Sequence, residues 1–173
     1  ITVITSLERK VAPLMRRRDL KLVLAESCTG GLISHRITNI PGSSEYFLGG
    51  IISYADSAKQ AILGVKEETL SQYGAVSRET VLEMARGVRK LFSLQGYPQE
   101  EIIAISISGV AGPGGGSEEK PVGQVWIGMC AADGEWAWKF NNNGTRLENK
   151  QNFSEQALQL LWGYLNGYIL PES

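Results

Sequence analysis

Lys21-Leu22-Val23-Leu24-Ala25-Glu26-Ser27-Cys28-Thr29-Gly30-Gly31-Leu32 passes from one kind of backbone to another in a single step. Residues 21–25 are a short apolar run of the buried-strand type. Glu26 to Gly31 break that run, and from Leu32 to Ile40 the apolar residues recur at helical spacing. A strand that turns tightly into a helix is the building unit of α/β folds. Ser27 stands at the turn itself.

The pattern continues on both sides. Upstream, Ser6 to Arg18 places Leu7, Val11, Leu14 and Met15 on one helical face, and Pro13 is expected to kink or shorten that helix. Downstream, Pro41-Gly42-Ser43-Ser44 is a turn, and Phe47 to Tyr54 reads as a second strand in which Gly49-Gly50 mark a bulge or a close backbone approach. Asp56 is positioned to cap a short helix carrying Lys59, Ile62 and Leu63 and ended by Gly64. Ser77 caps a longer helix to about Phe92, with Val81, Met84, Ala85, Val88 and Phe92 inward. Glu101 to Ser108 is apolar enough to be an interior strand covered on both faces, and it empties into the glycine loop Gly109 to Gly116. Gln124 to Ala131 and Trp136 to Phe140 are antiparallel strands joined through Asp133-Gly134. Thr145-Arg146-Leu147-Glu148 is a capping box, opening a last helix with Phe153, Ala157, Leu160, Leu161, Tyr164 and Tyr168 on one side. Helices alternate with strands except at the hairpin, which predicts a mixed sheet between two helical layers.

A chain of 173 residues is about one domain long, and residues 1–173 are read as one domain. Hydrophobic residues at 43% and charged residues at 20% exclude a disordered chain. The net charge of -1 supplies no broad positive field, so nucleic acid is not an expected partner. Arg16-Arg17-Arg18 closes the first helix, where cations complement the helix dipole. The two cysteines, Cys28 and Cys130, have no metal-ligand spacing, so neither a disulfide framework nor a metal site is expected, and a reducing cytoplasm fits best. No apolar run approaches membrane-spanning length, and the N-terminus lacks a signal-peptide pattern. The first residue is Ile1, which leads us to expect a start methionine or a segment upstream.

Ser27, at the carboxyl edge of a buried strand and beside helix N–H groups, suits a nucleophile facing an oxyanion site; the alternative is that it merely caps the helix. A nucleophilic serine needs a base. The single histidine, His35, lies about 12 Å along the helix, which excludes a serine–histidine–acid triad and leaves His35 a surface or packing residue. A lysine, tyrosine or carboxylate remains. Tyr54-Ala55-Asp56-Ser57-Ala58-Lys59 offers such groups where a strand leads into a helix, although Lys59 read alone is a solvated helix residue and Tyr54 a packing aromatic. Ser108 to Gly116 lets backbone N–H groups converge on a phosphate or carboxylate, or is a flexible turn; it matches neither a P-loop nor a dinucleotide fingerprint. Arg146 opposes the dipole at a helix start, a placement that inclines it toward an anionic ligand; the alternative is a solvated charge.

Together these segments resemble the C-terminal domain of the CinA family. The resemblance runs in family order through Leu24 to Leu32, Pro41 to Ser44, Gly50 to Tyr54 with Lys59, and Leu63-Gly64-Val65. It continues through Tyr73 to Ser77, Gly109 to Gly116 and Lys120 to Gly123, covering nearly the whole chain. It implies a three-layer α/β/α sandwich with a mixed, mostly parallel sheet, a homodimer, no metal and no cofactor. It also implies hydrolysis of the carboxamide of nicotinamide mononucleotide to nicotinate mononucleotide and ammonia, with Ser27 as nucleophile, Lys59 as base and proton shuttle, and Tyr54 steadying the pair or protonating the leaving ammonia. Thr29, Gly30, Gly31, Ser44, Ser108, Gly109, Gly112, Gly114, Gly115 and Arg146 are the implied substrate-binding residues, for a small phosphorylated nucleotide. The chain departs from the family pattern at Ser108, where threonine is common, and at Lys150, where a second arginine is common. The competing expectation is a non-catalytic nucleotide-binding module of the same fold.

Overall fold

The computed structural model describes residues 5–173. Strands β1 (Lys21–Glu26), β2 (Phe47–Ile52), β3 (Ile102–Gly109), β4 (Gln124–Ala131) and β5 (Gly134–Asn141) form one sheet in the order β2-β1-β3-β4-β5. β2, β1 and β3 pair in parallel; β4 is antiparallel to β3 and to β5, so β4 alone runs against the other four strands. The helices are α1 (Leu7–Arg17), α2 (Leu32–Thr38), α3 (Asp56–Leu63), α4 (Glu67–Tyr73), α5 (Arg78–Ser93) and α6 (Arg146–Leu165).

Strand alternation assigns the two layers. Leu22, Leu24, Ile103 and Ile105 share one core with α1, α2 and α6, while Val23, Ala25, Ile102 and Ala104 share another with α3 and α5. The path from β1 to β2 therefore crosses one face through α2, and the path from β2 to β3 returns over the other through α3, α4 and α5. This reversal beside β1 is a topological switch point, and it leaves a crevice outside the carboxyl ends of the strands.

Local chemistry explains most boundaries. Ser77 Oγ accepts from Thr80 N at the start of α5, and Thr145 and Glu148 form the reciprocal capping box of α6. Gly49 and Gly50 lie where β2 slips by one residue against β1, and a Cβ on Gly49 would sit 2.9 Å from the Phe92 ring.

Three expectations need correction, and one helix was not anticipated. Pro13 neither ends nor shortens α1, because it faces solvent, where the Arg9 carbonyl it leaves unpaired can be hydrated. Asp56 is the first residue of α3 and not its cap; Ala55 holds the N-cap position with no side-chain bond. Tyr168 lies beyond α6, exposed, because the chain turns at Gly167 with a φ of 77°. The tail then returns along the edge of β5, where Glu172 Oε1 accepts from Ala137 N and Ser173 Oγ from Lys139 N. Finally, α4 had no counterpart in the sequence reading.

Candidate active site

The crevice is a cleft of about 190 Å³. Ser27 and Cys28 follow β1; Ser108 and Gly109 end β3; Tyr54, Asp56 and Lys59 come from the passage out of β2 into α3. Ala75 and Val76 enter from the α4–α5 connection, Ala111 from the glycine loop and Arg146 from the first residue of α6. The ladders continue past the strand ends to hold these residues: Ser27 N donates to Ile107 O at 3.1 Å and Ser53 N to Glu26 O at 2.9 Å.

Lys59 is only 1% exposed. Its Nζ donates to Tyr54 O at 3.1 Å and to Asp56 Oδ1 at 3.2 Å. Among the described residues Ser27 Oγ has no hydrogen-bond partner, and Lys59 does not touch it at hydrogen-bond distance. The Tyr54 ring is 58% exposed, and its hydroxyl accepts from Arg146 Nη2 at 3.0 Å. Arg146 Nη1 donates to Gly112 O at 2.6 Å, so the guanidinium bridges the β2–α3 passage and the glycine loop. Beside Ser27, burial pushes the Cys28 thiol up to about 12, which keeps it protonated and removes it as a competing nucleophile.

Ser27, Tyr54, Lys59, Ser108, Gly109 and Arg146 are thus brought together, and Gly112 reaches them through Arg146. The Thr29 side chain does not line the cleft: its hydroxyl is buried and donates to Glu26 Oε1 at 2.7 Å. Gly30 and Gly31 shape the turn with φ of 61° and 98°, and Gly114 and Gly115 are exposed farther along the loop. Ser44 stands before the start of β2, at the sheet edge opposite the cleft, because parallel strands put their beginnings and ends on opposite edges. His35 is exposed on α2, outside the cleft.

Two residues escaped the sequence reading. Fully buried Asn149 donates from Nδ2 to Ala111 O and Gly144 O and accepts from Gly144 N, all at 3.0 Å, which staples the glycine loop to the start of α6. An asparagine inside a helix, where its propensity is poor, was the available signal. Glu26 is likewise buried, its carboxylate turned back onto α2. Because that carboxylate occupies the N–H groups of Ile33 and Ser34, helix α2 is not the oxyanion donor expected. In the turn, the N–H groups of Cys28, Thr29 and Gly31 have no acceptor among the described residues, and those of Cys28 and Thr29 directly follow Ser27.

The model of the CinA C-terminal domain matches residues 4–165. The chain belongs to the CinA C-terminal domain family. It is 45% identical to a CinA-like protein of Chlorobium limicola over 96% of this chain and 38% of that protein. A CinA-like protein of Thermotoga maritima is 42% identical over 93% of the chain and 38% of its own length. The chain thus spans little more than a third of the curated relatives it matches. Among solved structures, the competence/damage inducible protein CihA of Agrobacterium tumefaciens superposes with a TM-score of 0.81 at 35% identity, covering 96% of this chain and 99% of that one. A CinA superfamily protein of Klebsiella pneumoniae gives 0.84 at 30%, covering 94% and 97%. In this member of the family no helix among the described residues is long and apolar enough to cross a membrane.

Proposed function

We propose that this CinA-family domain hydrolyses the carboxamide of nicotinamide mononucleotide to the carboxylate and ammonia. One observation carries the reading: a buried lysine shares a cleft with a serine that has no hydrogen-bond partner. Lys59 Nζ donates to two acceptors. On a free amine those use both N–H bonds, and the remaining tetrahedral position is the lone pair a base requires.

In the reaction, Lys59 takes the proton of Ser27 Oγ as Oγ attacks the carboxamide carbon, and the N–H groups of Cys28 and Thr29 receive the oxyanion. Lys59 returns the proton to the leaving nitrogen, the C–N bond breaks and ammonia departs. Water then cleaves the acyl ester, giving the carboxylate and restoring Ser27. In this reading the pyridine carboxamide enters the cleft and the ribose phosphate is directed outward to Arg146 and the glycine loop, which the lining by Ser27, Lys59 and Arg146 supports. The same reading takes the domain as a cytoplasmic homodimer, which sedimentation of the purified protein tests.

Ammonia release from nicotinamide mononucleotide tests the reaction, with loss expected in Ser27→Ala and in Lys59→Ala; full activity in either variant refutes it. Free nicotinamide should be a far poorer substrate, since it offers Arg146 no phosphate. A second reading, a nucleotide-binding module without turnover, is favoured by Lys59 being bonded to Asp56 and not to Ser27. It predicts ligand binding with no ammonia.

A further inference from the structure

Glu26 has no part in the chemistry above, yet it is the most completely bonded side chain beside Ser27. It is 1% exposed and makes no ion pair among the described residues. A carboxylate buried without a cation is costly unless charge-assisted hydrogen bonds compensate. Four do. Oε1 accepts from Thr29 Oγ1 at 2.7 Å and Ile33 N at 2.9 Å; Oε2 accepts from Ser34 N at 3.0 Å and Ser34 Oγ at 2.7 Å. The N-cap of α2 is Gly31, which has no side chain to cap with, so a residue from the preceding strand caps the helix in its place. Strand end and helix start are thereby fastened to one group. Ser27 lies inside the closed loop, with its N–H on Ile107 O and its carbonyl on Gly30 N.

We propose that Glu26 is the positioning residue of the nucleophile: by tying Thr29 and the start of α2 it holds the Ser27–Gly31 turn so that Ser27 Oγ and the Cys28 and Thr29 N–H groups face one carbonyl. The Thr29 hydroxyl is then a tether, and not a substrate contact. The catalytic half of this inference rests on the amide hydrolysis proposed above; the tether does not.

The experiment uses Thr29→Val, which keeps the shape and removes the donor, and Thr29→Ser, which restores it, both in a Cys130→Ser background so that Cys28 is the only thiol. Three quantities are measured: kcat and KM for ammonia release from nicotinamide mononucleotide, the Kd of nicotinate mononucleotide, and the alkylation rate of Cys28. In Thr29→Val, kcat should fall by about 10²-fold, the cost of a nucleophile misplaced by about an ångström, with KM and Kd within about twofold. Cys28 alkylation without denaturant should rise at least about tenfold while the urea midpoint falls only modestly at a constant m-value, as local opening without global unfolding requires. Thr29→Ser should recover all of these. A weakened KM and Kd with kcat and Cys28 protection intact makes Thr29 a substrate contact and overturns the proposal, as does a variant that behaves like the parent throughout. If the parent releases no ammonia, the amidase reading fails while Cys28 alkylation still decides the tether.

Discussion

Replacing Lys59 by methionine separates function from stability. The side chain is 1% exposed, and it bonds Tyr54 O at 3.1 Å and Asp56 Oδ1 at 3.2 Å. Removing an amine from water costs several kcal/mol. A bond to a carboxylate returns about 1.5–3 kcal/mol and one to a carbonyl about 1 kcal/mol, so the two nearly offset that cost. Methionine keeps the length of the stem and needs no partner, and Asp56, 58% exposed, stays hydrated when its partner goes. No buried charge is orphaned. The expected result is a folding free energy within about 1 kcal/mol of the parent, against the roughly 3–5 kcal/mol lost when a buried ion pair is broken from one side. Ammonia release should meanwhile fall by about 10²–10⁴-fold, the usual contribution of a positioned base. Urea denaturation at a constant m-value and an ammonia assay on the same preparation give both numbers. A loss of about 3 kcal/mol or more, the broken-pair value, makes Lys59 a structural pillar, and activity within about tenfold removes it from the chemistry.

The Cys28 thiol ordinarily ionises near 9.0 and is held up to about 12 by burial. Between those values the unfolded chain has released its proton and the folded chain has not, so stability falls as pH rises, with a limiting slope of about 1.4 kcal/mol per unit. Urea midpoints from pH 8 to 11 should show that decline, shallower in Cys28→Ala; equal slopes in the two proteins assign it elsewhere. Asn149→Ala forfeits three hydrogen bonds, about 3 kcal/mol, and should lower Tm by roughly 10 °C. A loss below about 1 kcal/mol means the glycine loop is held by other contacts. Pro13→Ala restores the N–H that α1 lacks at an exposed position and should stabilise by about 2 kcal/mol after the unfolded-state offset, read as a higher urea midpoint; an unchanged midpoint shows that hydration of the Arg9 carbonyl offsets the missing bond in full.

What was legible in the sequence is what short-range chemistry specifies. The buried runs of β1 and β3, the cap at Ser77, the capping box at Thr145 and the slip at Gly49 each involve groups a few residues apart or demand a particular residue type. Helix α4 was illegible because it buries Thr69 alone and has no side-chain cap, so neither periodicity nor punctuation marks it. The orientation of the Thr29 hydroxyl was illegible for a related reason. The neighbours of Thr29 suggested a ligand contact, but its hydroxyl turns back to Glu26, a carboxylate that sequence reading places at a strand end without revealing which way it faces.

The cleft itself follows from strand direction. Because β1, β2 and β3 are mutually parallel, whatever follows each of them arrives at one edge of the sheet, and whatever precedes them arrives at the other. Ser27, Tyr54 and Ser108 lie at carboxyl ends and meet; Ser44 lies before an amino end and does not. Proximity to a family motif in the chain is therefore a weaker guide than position along a strand. Lys59 obeys the same logic at one remove. One turn of α3 beyond Tyr54 returns its side chain over the end of β2, where an i,i+3 contact with Asp56 holds it at the mouth of β1. A lysine one residue earlier or later on α3 would point about 100° away from that carboxylate, so moving the amine by Lys59→Ala with Ala58→Lys or Gln60→Lys should not restore ammonia release. Recovery of activity in either double variant would show that the chemistry needs only a nearby amine, and that the buried geometry described for Lys59 is incidental to it.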